Sequence, residues 1–153
     1  MGTLIRMKTL WSFGLILVLA VTLFAQTDAS RVPAYHKNPP VKSEELPPIM
    51  PASERIGPAF THDYQDHAYD LAAKIPKVIY QLPCYCYCDR AVGHKSLHSC
   101  YENTHAAHCA VCLKELYFAY NETKAGKTPT QIRAAIEKGD WEKIDLTTAA
   151  QIN

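Results

Sequence analysis

All six cysteines of this 153-residue chain, and four of its seven histidines, fall between Cys84 and Cys112. The window runs Cys84-Tyr-Cys86-Tyr-Cys88, then His94, His98 and Cys100, then His105, His108, Cys109 and Cys112. Any fold of this chain has ten thiol and imidazole donors to accommodate within one short stretch. If they converge, they suit Zn²⁺ or Cu(I), and the thiolates alone suit an iron–sulfur cluster.

The state of those cysteines depends on compartment, because oxidising surroundings favour disulfides. Arg6 and Lys8 open the chain, residues 10–25 are almost wholly apolar, and small or polar residues follow. This is the pattern of a secretory signal peptide, assigned to 1–29, with cleavage after Ala25 or Ala29. The apolar run is shorter than the ~20 residues that span a bilayer, which makes an uncleaved anchor the weaker reading. No cysteine follows the run to accept a lipid. The expected location is therefore periplasmic or extracellular, with membrane contact only through an uncleaved signal segment. Removing Arg6 and Lys8 takes the formal net charge from +1 to −1, and no basic run occurs elsewhere, so no nucleic-acid partner is expected.

Seven of the ten prolines follow, at Pro33, Pro39, Pro40, Pro47, Pro48, Pro51 and Pro58. Such a segment favours extended, polyproline-like conformations, and 30–59 reads as a linker. The competing reading is an ordered arm pinned to the domain by Ile49, Met50 and Ile56.

The folded domain is expected at 60–145, followed by a loose tail at 146–153. Thr61 or Asp63 can cap a helix whose apolar positions Tyr64, Ala68, Leu71, Ala72 and Ile75 keep helical spacing up to Pro76. Pro76 can open a second short helix that Pro83 stops. The three-cysteine run then starts in a loop. Asn103 or Thr104 can cap a long helix from His105 to Lys124, which Gly126 ends. At helical pitch His105, His108, Cys109 and Cys112 share one stripe, which Leu116 extends. Thr128-Pro129-Thr130-Gln131 combines a cap, a first-turn proline and a capping box for a last helix bearing Ile132, Ala135 and Ile136, ended by Gly139. Trp141 and Ile144 are expected to close the core. The fold class is mainly α: a small helical domain with a cysteine-rich loop packed on a long central helix.

In an extended strand Cys86 would point away from Cys84 and Cys88, so three convergent thiolates require a turned loop. Bridges within Cys-x-Cys are uncommon, and disulfides would be expected to join the loop to Cys100, Cys109 or Cys112. Against a purely disulfide reading stand the interspersed histidines and Cys109-x-x-Cys112, whose helical spacing suits shared ligation. The same Cys-x-x-Cys is also a redox spacing. It is followed by Leu113 and not by histidine, so covalent haem is not expected.

Ile75-Pro76, Leu82-Pro83-Cys84-Tyr85-Cys86-Tyr87-Cys88, Gly93-His94-Lys95-Ser96-Leu97, Ser99-Cys100-Tyr101 and His105-Ala-Ala-His108-Cys109-Ala-Val-Cys112 together resemble the bacterial PCYCGC-motif proteins. These are uncharacterised exported proteins, many of them lipoproteins, and the resemblance covers roughly residues 60 to 140. It implies a small cysteine-rich bacterial domain and transfers no activity. Tyr87 stands where the name motif has glycine, and the lipid-acceptor cysteine is missing, which points to a soluble member.

The expected metal ligands are Cys84, Cys86, Cys88, His94, Cys100, His105, Cys109 and Cys112, with His98 and His108 as extra ligands or as side chains that orient one. Cu(I) or zinc is favoured over an iron–sulfur cluster in an exported chain. No nucleophile elbow, phosphate-binding glycine loop or His-Glu-x-x-His occurs, and no enzyme activity is expected. The leading function is storage, buffering or delivery of copper or zinc, with an exported metal-handling or redox partner. A thiol–disulfide or electron-transfer protein and a disulfide-stapled interaction module stay open beside it.

Overall fold

The first helix is set by a glutamine that reaches backwards. In α1 (Asp63–Lys74) the Gln65 Oε1 accepts the backbone N–H groups of Thr61 and His62 at 2.8 Å each, satisfying donors that a helix start leaves open. The N-cap is thus His62, one residue from either residue expected to fill that place. Pro76 opens α2 (Pro76–Ile79) as its spacing implied. The structure is a computed structural model describing residues 32–151; the expected signal peptide and both cleavage positions lie outside the described residues.

Four further helices follow: α3 (Cys88–Val92), α4 (Ala110–Lys124), α5 (Pro129–Glu137) and α6 (Leu146–Ala149). No strand occurs among the described residues, and the fold is mainly α. The capping box at Thr128 and Gln131 forms as its sequence requires, and Gly126 and Gly139 take the left-handed conformation that ends their helices. Leu146–Ala149, at the start of the tail expected to be loose, is helical. The Asp145 carboxylate accepts the Thr147 N–H and caps α6, whose Ala149 is buried.

The expected long helix from His105 to Lys124 is broken. A 3-10 turn spans Thr104–His108, Cys109 is extended at φ −128° and ψ 105°, and α4 begins only at Ala110. The cause lies in α1. In a continuous helix the Ala107 N–H would donate to the Asn103 carbonyl, but the Tyr69 hydroxyl sits between them, accepting from Ala107 at 3.2 Å and donating to Asn103 O at 2.6 Å. The Ala107 carbonyl is taken as well, by Gln65 Nε2 at 2.8 Å. Two side chains of α1 capture the backbone groups that would have continued the ladder.

α4 is the central element and packs against α1, α2, α5, α6 and the 3-10 turns that precede it. Tyr69, Leu71, Ile79, Leu82, Leu97, Tyr101, Leu116, Tyr117, Ile132 and Ile136 are fully buried around it. Each such aliphatic side chain stabilises the fold by roughly 1.5–3 kcal/mol relative to exposure.

The residues from Pro33 onward form one compact unit, and the proline-rich segment lies on the helical body as an ordered arm would. The Ala34 N–H donates to Asp89 Oδ2 at 3.0 Å, His36 stacks on Tyr80 at 3.8 Å, and the Met50 N–H donates to Tyr101 O at 2.9 Å. Met50 is buried, whereas Ile56 is 77% exposed and pins nothing. Arg55 completes the attachment by binding Met50 O together with the Asp66 and Asp70 carboxylates.

Candidate metal centre

The cysteine loop turns because one residue adopts an unusual backbone. The Tyr87 N–H donates to Cys84 O at 3.0 Å, and Tyr87 itself sits at φ +58°, a left-handed conformation that side-chain-bearing residues rarely take. This removes the strand alternation that would separate neighbouring cysteines, and Cys88 becomes the first residue of α3. The Leu97 N–H to Leu82 O bond of 2.9 Å holds the next segment beside the loop, bringing in Cys100 on the 3-10 turn Leu97–Tyr101. Cys112 comes from the first turns of α4, its carbonyl held by the Tyr101 hydroxyl at 2.9 Å.

Cys84, Cys88, Cys100 and Cys112 meet at one buried centre. Their sulfurs all lie within 4.8 Å of one another, and none of the four residues is more than 4% exposed. The Cys84–Cys112 separation is 3.3 Å and the Cys88–Cys100 separation 3.8 Å. Two further groups share members with this one: Cys86, Cys88, His105 and Cys112, and Cys88, His94, Cys100 and His105. Each group could hold a metal ion. Cys88 belongs to all three.

The two histidines stand against this thiol centre. His105 Nε2 lies 3.1 Å from Cys88 Sγ, His94 Nδ1 lies 3.3 Å from Cys100 Sγ, and the two rings meet edge to face at 4.7 Å. Burial, then the neighbouring His105, holds His94 below its ordinary pKa and favours the neutral imidazole that ligates metals. The Asn103 side chain accepts the His105 N–H at 2.8 Å and starts this turn, as the sequence allowed.

Other expected residues lie elsewhere. Because the helix breaks at Cys109, the stripe of His105, His108, Cys109 and Cys112 does not exist as one face. Cys109 is half-buried and outside all three groups, and His108 is exposed. His98 is buried with its Nδ1 3.0 Å from Glu102 Oε1, an ion-pairing geometry and not a sulfur contact.

Cys86 and Cys88 are joined as a disulfide, leaving Cys84, Cys100, Cys109 and Cys112 as free cysteines. A bridge within Cys-x-Cys was the less expected pairing; the reversal at Tyr87 is what makes it reachable. A disulfide sulfur is not a thiolate ligand, so this bond and a metal held through Cys88 exclude each other.

The charge of the cluster follows from its crowding. Hydrogen bonding from Cys100 and then Cys112 lowers the Cys84 thiol and stabilises its thiolate. Cys112 is driven up by its hydrogen bonds to Cys100, Cys109 and Cys84, and Cys100 also ends raised, because its bond to Cys84 and burial outweigh the lowering from Cys112. One thiolate is thus held by neighbours that keep their protons. A soft cation would displace those protons and let the remaining sulfurs ligate.

One residue of the site escaped the sequence reading. Glu115 is fully buried on α4, its Oε1 accepts the Tyr85 N–H at 2.8 Å, and its Oε2 has no hydrogen-bond partner. Burial first, and the Cys84 charge second, push its carboxyl well above the usual range and favour its protonated form. An acid between Lys114 and Leu116, one turn past Cys112 on the helix that carries the ligand face, was the available signal.

A small helical protein with a buried cysteine–histidine centre is the class that this fold and site define. The chain belongs to the family described as a protein of unknown function with PCYCGC motif, which matches residues 43–143. Pro83 to Cys88 departs from that motif only at Tyr87, the residue with the left-handed backbone. Comparison with curated proteins and with solved structures gives no match.

Proposed function

We propose that this is an exported, non-catalytic protein that binds a soft transition metal, Cu(I) or zinc, at Cys84, Cys88, Cys100 and Cys112, for storage, buffering or delivery. The observation that carries this reading is the convergence of four buried cysteines from three separated stretches of chain, with His94 and His105 against them. Four thiolates at one centre match the donor set of closed zinc sites and of Cu(I)–thiolate sites. A metal that binds only the folded chain would add its binding free energy to the stability of the fold.

A second reading rests on the Cys86–Cys88 disulfide, which is half-exposed at Cys86 and has the Cys84 sulfur 3.3 Å from Cys86 Sγ. That geometry suits thiol–disulfide exchange with a redox partner. The two readings separate when the mature protein is taken from its native compartment without chelator or reductant, and bound metal and free thiols are measured together. Stoichiometric copper or zinc with masked thiols supports metal handling. Fully disulfide-bonded protein without metal contradicts it, and a dithiol that cycles reversibly favours redox work.

A further inference from the structure

A closed four-sulfur centre raises the question of how an ion enters. Cys84 and Cys88 are almost fully buried, and Cys100 and Cys112 wholly so, which leaves no direct approach from solvent. Beside them lies an open cavity of about 260 Å³ lined by Cys86, Cys88, Ala91, His105, His108 and Cys109. Five of those six residues carry a soft or borderline donor. The buried residue of the lining is Cys88, shared by all three candidate groups, with His105 Nε2 3.1 Å from its sulfur. At the outer side stand exposed His108 and half-buried Cys109.

Cys109 is the informative member. Among the described residues it is a free cysteine that is neither fully buried nor part of a four-donor group, and it sits on the extended residue between the Thr104–His108 turn and α4. The break in the helix leaves this thiol on the cavity wall, outside the four-sulfur group but within hydrogen-bonding reach of Cys112.

We propose that this cavity is a loading port, with Cys109 and His108 as a transient two-donor site that receives a soft cation presented as a labile complex and passes it through Cys88 and His105 to the buried centre. This rests on the metal-binding reading of that centre and adds its route of entry. The transfer is ligand exchange without change of oxidation state. The Cys109 sulfur bonds to the incoming ion as one donor ligand leaves, any proton on Cys109 passes to solvent or to the departing ligand, and Cys88, reduced from its disulfide by a dithiol, then displaces Cys109.

The test uses the full mature chain, reduced by an excess of dithiol that is removed anaerobically, with Cu(I) presented as a coloured bicinchoninate complex in a stopped-flow instrument. In Cys109→Ser the loss of chelator colour is expected to slow by about tenfold or more, while the final copper-to-protein ratio and the equilibrium competition stay at wild-type values. His108→Ala is expected to slow uptake by a smaller factor. Uptake by Cys109→Ser at the wild-type rate would overturn the port while leaving the metal centre standing. Loss of final stoichiometry equal to that of Cys112→Ser would also overturn it, by making Cys109 a ligand of the centre. A wild-type protein that takes up no copper would remove both the centre and the port.

Discussion

The Tyr69 hydroxyl accepts the backbone N–H of Ala107 at 3.2 Å, across 38 residues of sequence. It also donates to the Asn103 carbonyl, so one side chain from α1 replaces one rung of the helix that would otherwise run from His105 into α4. His105 then faces Cys88 from the turn, Cys112 faces Cys84 from the helix, and Cys109 is left between them. The centre owes its shape to a tertiary contact.

Tyr69→Phe removes both hydrogen bonds and leaves two buried backbone groups to find new partners. We expect a loss of about 1–3 kcal/mol in chemical denaturation of the metal-free protein. If the freed rung closes into continuous helix, far-ultraviolet circular dichroism gains helical signal and metal affinity falls as His105 leaves Cys88. Unchanged stability and affinity would show that the hydroxyl does not hold the break.

Tyr87 supports the turn at the cost of a left-handed backbone. Replacing it with glycine and with alanine isolates that cost, because both remove the ring contacts with Tyr85 and Arg90. Tyr87→Gly should be more stable than Tyr87→Ala by about 1 kcal/mol, the reverse of their order in a helix interior. Equal denaturation midpoints would contradict the positive φ as a source of strain.

Glu115 links pH to stability. Its ordinary value is 4.5, and burial raises it well above that. As pH rises past that ordinary value, the unfolded chain ionises this residue while the folded one keeps its proton, so the metal-free fold loses stability upward from that point until the folded group itself ionises. Glu115→Gln keeps an acceptor for the Tyr85 N–H and should flatten the slope in that window. Glu115→Ala leaves the N–H unpaired and a void, costing about 2–4 kcal/mol. A Glu115→Gln profile parallel to the wild type would refute a protonated, buried carboxyl.

How much of this was legible differs by element. The capping box of Thr128 and Gln131, the helix before Pro76 and the glycine stops are local signals, and the chain carries them in consecutive residues. The turned loop was required by Cys-x-Cys-x-Cys geometry alone. The break at Cys109 was not visible, because residues 105–124 contain no proline or glycine and the interrupting groups, Tyr69 and Gln65, lie on another helix. The same blindness misplaced Cys109 and His108 on a shared stripe and passed over Glu115, whose partner is a backbone N–H from the cysteine loop. Convergence of Cys84, Cys88 and Cys100 needed the Leu82–Leu97 hydrogen bond, which no spacing rule encodes.

Because Cys88 is shared by every candidate group, its disulfide with Cys86 acts against metal binding. Oxidised wild-type protein should lose more affinity than the ~10–100-fold typical of removing an outer hydrogen-bond partner of a ligand. Cys86→Ser cannot form the bond and should bind metal with little dependence on prior oxidation by a mild disulfide reagent. Equal affinity of oxidised and reduced wild type, measured by competition against a chromophoric chelator, would remove Cys88 from the ligand set.

The central claim is that Cys84, Cys88, Cys100 and Cys112 hold one ion together. It is tested most directly by the X-ray absorption spectrum, at the zinc edge, of reduced protein loaded with one equivalent of Zn²⁺. A first shell of four sulfurs at about 2.3 Å is predicted, with one sulfur lost in Cys100→Ser. A first shell made mainly of nitrogen and oxygen, or zinc that washes away from the reduced protein, would contradict it.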